Sequence, residues 1–299
     1  MMQLSAAVNP TAFPPYEKIV PVMPHTRRSF VSLTGAALAA PAMAPAAAAN
    51  ANGDTFKLGV ASYSLREFNR SLAIKSVKQI GTPYINIKEF HLSYRSTPEE
   101  MAKAKADFAK AGLQILGGGT IGLQKNDAAD IRSYFQYAKN AGMPLIVAAP
   151  SAETLSLVEK AAIEFNIKVA IHNHGPEDKH FPTPQSVLKL VKNMHPLMGL
   201  CIDVGHTART GVDVVESIAE AGPRLLDMHI KDLRDMKAKE SQCIVGEGAM
   251  PVVAIFKQLK KMNYTGGVML EYEIDGDNPV PGMLRSFAYM RGVLAGMRG

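Results

Sequence analysis

KVAIHNHG (168–175), GLCIDVGH (199–206), LLDMHIKD (225–232) and GVMLEYE (267–273) are four consecutive apolar runs, each ending on polar side chains, with His172, Asp203, His229 and Glu271 at corresponding places. They recur every roughly 30 to 40 residues, about the length of one strand plus one helix, which is how a parallel barrel carries remote residues to one rim. Each of the four alone reads as an ordinary strand-end polar group. Their joint placement predicts a shared site. Two imidazoles and two carboxylates form a mixed nitrogen and oxygen set, suited to one divalent metal ion such as Mn, Co, Fe, Zn or Ni and less to Ca or Mg.

Outward from these runs, the same alternation continues to about residue 57. Strands are expected at 57–62, 84–90, 114–119, 144–149, 168–173, 198–203, 225–230 and 266–273. Between them lie segments with helical spacing, among them 97–113, 127–142, 151–166 and 251–263. Thr97 followed by Pro98 and Glu100 is a capping-box start, and Gly112, Gly142 and Gly222 stand where helices should stop. Eight such repeats in some 240 residues predict an α/β fold, a single-domain (β/α)8 TIM barrel spanning 51–299. The competing doubly wound sheet lacks its dinucleotide fingerprint, because GGGTIG (117–122) has the wrong glycine spacing, so no nicotinamide or flavin is expected. Two long loops, 174–184 and 231–248, follow strand ends where barrel enzymes keep their substrate loops.

Residues 1–50 have another character. TRRSFVSLTGAALAAPAMAPAAAAN (26–50) pairs Arg27 with Arg28 and runs into an Ala-rich, weakly apolar stretch, which reads as a twin-arginine export signal cut near 47–50 and implies a periplasmic destination. Pro41 and Pro45 argue against a stable membrane anchor. The leader holds two of the six surplus positive charges, through Lys18, Arg27 and Arg28 against Glu17. Four remain in the barrel, scattered and without tryptophan nearby, so nucleic acid is not an expected partner. With 47% apolar and 20% charged residues the chain has ample core material. Cys201 and Cys243 are too few for a disulfide framework, and Cys201 reads as a packed thiol. Self-association into a homo-oligomer is left open.

Other residues reach the expected rim. His174 repeats the phase of His172, and Glu273 that of Glu271; Glu271 is the preferred ligand because Glu273 sits higher toward the loop. His206 is expected over the same rim as a substrate ligand or proton-transfer group. KEFHL (88–92) ends an expected strand with Lys88, Glu89 and His91, read as facing the substrate because such a cluster is costly to bury otherwise. Asp232 is expected to orient His229 or bind a hydroxyl, Glu247 either to reach in from GEG (246–248) or to decorate a turn, and Lys231 to be solvated. Ser62 and Tyr63 are weaker candidates. There is no nucleophile elbow and no P-loop, so covalent catalysis is disfavoured.

Over residues 57–298 the chain resembles the sugar phosphate isomerase/epimerase family of xylose isomerase-like barrels, through IHNHG (171–175), CIDVGH (201–206), MHIKD (228–232), VGEG (245–248) and LEYE (270–273). The resemblance implies a metal held by glutamate, aspartate, histidine and glutamate from the last four strands, with Asp203, His229 and Glu271 in the last three places. Where the epimerases have the first glutamate, this chain has His172. The implied activity is a metal-dependent sugar isomerase or epimerase, with Glu271, His172 and His174 as catalytic groups and a small sugar or keto-sugar, unphosphorylated after export, as substrate. Exported relatives with the HNH pattern imply a second reading, a 3-keto-glycoside lyase or hydratase using the same site. A non-catalytic carbohydrate-binding barrel is a third. An apurinic-site endonuclease is disfavoured by too few ligands for three metals.

Overall fold

A computed structural model of the chain describes residues 55–298; the export-signal reading lies outside them. Eight strands close a parallel barrel: β1 (Lys57–Ala61), β2 (Tyr84–Ile87), β3 (Gln114–Leu123), β4 (Leu145–Pro150), β5 (Lys168–His172), β6 (Met198–Asp203), β7 (Leu225–Ile230) and β10 (Gly267–Leu270). A short antiparallel hairpin, β8 (Asp232–Leu233) with β9 (Gln242–Cys243), stands in the loop between β7 and β10. The barrel closes where β1 pairs with β10, Val60 lying opposite Leu270.

Helices cover the outside: α1 (Arg70–Ile80), α2 (Pro98–Lys110), α3 (Ala128–Ala141), α4 (Leu155–Phe165), α5 (Pro184–Val191), α6 (Val204–Arg209), α7 (Val214–Ala221), α8 (Val252–Lys261) and α9 (Val280–Gly296). Their limits follow local chemistry. Thr97 Oγ1 accepts the Glu100 N–H at 3.2 Å while Glu100 returns the bond to the Thr97 N–H at 2.8 Å, so two orphan donors of α2 are satisfied. Met101, Ala104 and Phe108 then fall on one buried stripe. α3 ends at Gly142, whose φ of 74° lets its N–H return to the last turn at no steric cost.

β6 shows how one strand serves two layers. All six of its residues are buried. Leu200 and Ile202 join the large core between strands and helices, whereas Cys201 packs with Leu145, Val147 and Ala170 in a small second cluster. Asp203 continues the phase of Cys201 and therefore arrives at the carboxyl rim pointing inward. Register aligns the rest: Asp203 lies opposite His229, His172 opposite Cys201, and Met269 opposite His229.

Several expected boundaries move. β2 stops at Ile87, so Lys88 to His91 lie in a turn, and β10 stops at Leu270, so Glu271 to Glu273 stand beyond the ladder. β3 runs on to Leu123.

Candidate metal centre

His172 and Asp203 are the last residues of β5 and β6, His229 is the penultimate residue of β7, and Glu271 is the first residue past β10. One nitrogen or oxygen atom from each falls within a common span of 4.8 Å. His172 Nε2 lies 3.0 Å from His229 Nδ1 and 3.5 Å from Asp203 Oδ2, and His229 Nδ1 lies 3.2 Å from Glu271 Oε2. All four side chains are buried, Asp203 completely.

The electrostatics suit a cation. Burial pulls His172 down to about 3, so its ring is neutral. Burial also opposes ionisation of both carboxylates, yet Lys231 and the neighbouring histidines hold Asp203 well below its ordinary value, and His229 and Lys231 do the same for Glu271. His229 goes the other way: burial lowers it, but its Cys201 and Glu271 neighbours lift it well above the usual imidazole range. Two imidazole nitrogens 3.0 Å apart share at most one proton between them, and Asp203 Oδ2 and His172 Nδ1 are buried without a well-angled hydrogen-bond partner. Two imidazoles and two carboxylates converging on one small span are what a divalent ion satisfies, so the residues present fit a metal.

Two histidines flank this cluster. His174, past the end of β5, lies beside His172 with ring centroids 4.3 Å apart and the planes tilted by 52°, and its Nδ1 lies 3.1 Å from Asp178 Oδ2. The imidazole therefore donates from Nδ1 and keeps the Nε2 lone pair free. His206, on α6, donates its backbone N–H to Asp203 Oδ1 at 2.8 Å, and its Nδ1 receives the Arg209 guanidinium at 3.2 Å, which leaves the proton on Nε2. The two rings are 5.8 Å apart. Glu273, His206, Arg209 and Gln242 line an adjoining cleft of about 200 Å³.

Lys88 faces the same rim: its ammonium stands 5.2 Å from the Tyr63 ring and within electrostatic range of Glu271, with burial lowering its affinity for the proton. Glu89 is exposed in the turn beside it. Glu271, not Glu273, contributes to the four-atom group.

Four expectations are corrected. His91 does not face a substrate: it is buried, with Nδ1 on Ser62 Oγ at 2.9 Å and Nε2 on the carbonyls of Leu65 and Phe68 at 3.1 Å, so both ring nitrogens brace the turn after β1. Asp232 neither orients His229 nor meets a hydroxyl. Its carboxylate accepts the N–H groups of Leu233, Gly246, Gly248 and Met250, tying down the loop that follows β7. Glu247 turns to Arg285 and Arg234 instead of the site. Lys231 is buried rather than solvated, and its ammonium meets Asp203, Glu271 and Glu273.

Asp227 went unread although it lies two residues before His229 on the same strand face. It is buried below the centre, accepts the Asn86 amide at 2.6 Å, lies 4.0 Å from Cys201 Sγ, and borders a cavity of about 660 Å³ at the other barrel mouth. Burial pushes its carboxyl up to about 7. The native state therefore holds a proton that the unfolded chain releases near pH 4, and stability falls as pH rises through that interval. Asp227→Asn removes the penalty and lets its new amide reach Asn86 Oδ1, which lacks a partner. In urea unfolding of metal-free protein, a gain of about 2 kcal/mol is expected above pH 8, shrinking to nothing near pH 4. A gain independent of pH would refute the titration.

Fold and site together define a parallel barrel with a candidate metal centre at its carboxyl rim. The model of the xylose isomerase-like TIM barrel family matches residues 74–293, and the chain belongs to that family. An inosose dehydratase of Lactiplantibacillus plantarum is 23% identical over 189 residues, covering 57% of this chain and 60% of the enzyme. The chain spans about half the length of the curated relatives it matches. Among solved structures, D-psicose 3-epimerase with D-tagatose from Clostridium cellulolyticum H10 has a TM-score of 0.66 at 18% identity, covering 80% of this chain and 99% of that one. The IOLI protein with a bound zinc atom has a TM-score of 0.67 at 17% identity, covering 81% and 99%.

Proposed function

We propose that the chain is a metal-dependent enzyme that removes a proton next to the carbonyl of an unphosphorylated sugar or sugar-like ketone. The convergence of His172, Asp203, His229 and Glu271 within 4.8 Å carries this reading. These four residues would hold the ion. A divalent cation bound there supplies Lewis acidity to a ketone oxygen, which acidifies the adjacent C–H bond.

His174 is the base. Asp178 fixes its tautomer, and burial together with His206 lowers its proton affinity, so the ring is neutral near pH 7. Its Nε2 takes the proton, the C–H electrons form the carbon–carbon double bond, and the substituent on the next carbon departs with its bonding pair. The imidazolium then returns the same proton to the departing oxygen, so substrate becomes an enone plus water or an alcohol and His174 is restored. His206, with its proton held on Nε2 by Arg209, donates a hydrogen bond that orients the substrate.

Elimination is preferred to epimerisation because the two flanks of the centre differ. On one side stand His172, His174 and His206; on the other stands Glu271, whose carboxylate would be taken up in holding the ion and so is poorly placed to return a proton to the opposite face. The inosose dehydratase relatives support elimination. Isomerisation is the second reading, favoured by the partial burial of His174, whose side chain is 35% exposed and can carry one proton to a neighbouring carbon. The Arg27–Arg28 leader supports an exported enzyme and hence an unphosphorylated substrate.

Incubation of the metal-loaded protein in D2O with free ketoses and 3-keto-glycosides is expected to release the aglycone and build enone absorbance, and chelation to stop both. Deuterium entering an isomeric product without release would establish isomerisation. Sugar binding with neither outcome would leave a binding barrel and end the proposal.

A further inference from the structure

Lys231 is a buried cation beside the centre that takes no part in the proposed proton transfer. Its side chain is only 5% exposed, and its ammonium lies 3.0 Å from Asp203 Oδ2 and 2.8 Å from Glu271 Oε2. Those are the same two oxygen atoms that face the His172 and His229 nitrogens. A third carboxylate, Glu273, meets the ammonium from the cleft side.

The fold makes room for this lysine. A Cβ placed on Gly205 would stand 2.7 Å from Lys231 Cδ and 2.9 Å from Cγ, closer than side-chain carbons tolerate. Gly205 belongs to DVGH and Lys231 to HIKD, so the two sequence motifs interlock: the missing side chain of one is the channel for the stem of the other. A buried lysine also costs several kcal/mol of lost hydration unless it is fully paired, so an ammonium at this depth is built in by its three carboxylates.

We propose that Lys231 is a resident counter-cation of the metal centre. It neutralises Asp203 and Glu271 when no metal is bound, and it must yield those oxygens, keeping Glu273, when a divalent ion loads. The inference rests on the metal reading above and adds to it the control of that site. The ammonium competes for the very atoms that would grip the ion, so the centre binds metal more weakly, and exchanges it more readily, than the same four ligands would alone.

The test is calorimetric titration of Mn(II) into chelator-stripped wild type and Lys231→Met, with circular dichroism to confirm the fold. Lys231→Met is expected to bind at least about tenfold more tightly, because a unit positive charge competing for Asp203 Oδ2 and Glu271 Oε2 has been removed. Binding by the variant where wild type binds none would support the inference still more strongly. Equal or weaker binding by a folded variant overturns it while leaving the metal reading intact. No binding by either protein overturns the metal reading, and the inference with it. Should the metal-free variant not fold, a crystal structure of Mn-loaded wild type decides: Nζ is expected beyond hydrogen-bond reach of Asp203 Oδ2 and Glu271 Oε2 and still on Glu273. An ammonium unmoved beside the bound ion overturns the competition.

Discussion

Asp203→Asn is expected to strip the centre of its metal and of turnover while the barrel stays folded. Asp203 presents one oxygen to each of two tasks. Oδ1 caps α6 by accepting the His206 N–H at 2.8 Å, and Oδ2 belongs to the four-atom group. Asparagine can keep the cap through its carbonyl but places an amide, with little affinity for a divalent ion, in the other position. Loss of a partner behind a ligand typically costs 10- to 100-fold in metal affinity, and loss of a charged ligand should exceed about 100-fold. The fold survives because Lys231 retains Glu271 and Glu273 when Asp203 becomes neutral. Elemental analysis and unfolding curves test the two halves separately: full metal content in a folded Asp203→Asn protein would remove Asp203 from the ligand set. The same centre predicts a pH dependence. His229 is held protonated well above the usual imidazole range, and that proton must leave before its Nδ1 can serve a metal. Metal affinity is therefore expected to rise as pH increases toward that raised value, with proton release on binding.

The rim was legible because a parallel barrel converts position in the repeat into position in space. His172, Asp203, His229 and Glu271 could be read together from four apolar runs, since every strand delivers its carboxyl end to one mouth. The choice of Glu271 over Glu273 followed from height above the ladder, and the structure places Glu271 in the group. What failed were residues whose role is decided by partners brought from elsewhere. Asp232 meets N–H groups as far on as Met250, and His91 meets carbonyls of Leu65 and Phe68, so neither partner set is visible in the local sequence. Lys231 was misread because an isolated lysine is ordinarily solvated; its burial depends on three carboxylates from two other strand ends and on the space at Gly205. Asp178 and Asp227 carried usable signals, the first four residues after His174 and the second in phase with His229. Strand ends shifted for a simpler reason. A strand continues only as long as its neighbour pairs with it, and β10 loses β1 after Leu270 although the apolar pattern runs on.

His174→Gln is expected to lower kcat by about 10² to 10⁴-fold, the range for a removed general base, while metal content stays at the wild-type level. The contrast matters because His172 and His174 are two residues apart with rings 4.3 Å apart, and either could have been the ligand. Geometry separates them. His172 Nε2 points into the carboxylate and imidazole group, whereas His174 turns its Nδ1 to Asp178 and belongs to no metal-sized group. A His174→Gln protein that loses its metal would exchange the two roles. Asp178→Asn supplies a finer readout. Asp178 raises the proton affinity of His174 against the stronger lowering by burial and His206. The base works only when neutral, so activity is lost as pH falls through its depressed value, and the acid limb of kcat/KM is expected below the ordinary histidine range. Removing the Asp178 charge depresses that value further. The limb should therefore move to lower pH, with kcat reduced roughly tenfold because the imidazole is less firmly held in its reactive tautomer. A limb that stays in place in Asp178→Asn would show that another group takes the proton, and Glu273, exposed to the cleft beside Lys231, would be the next to test.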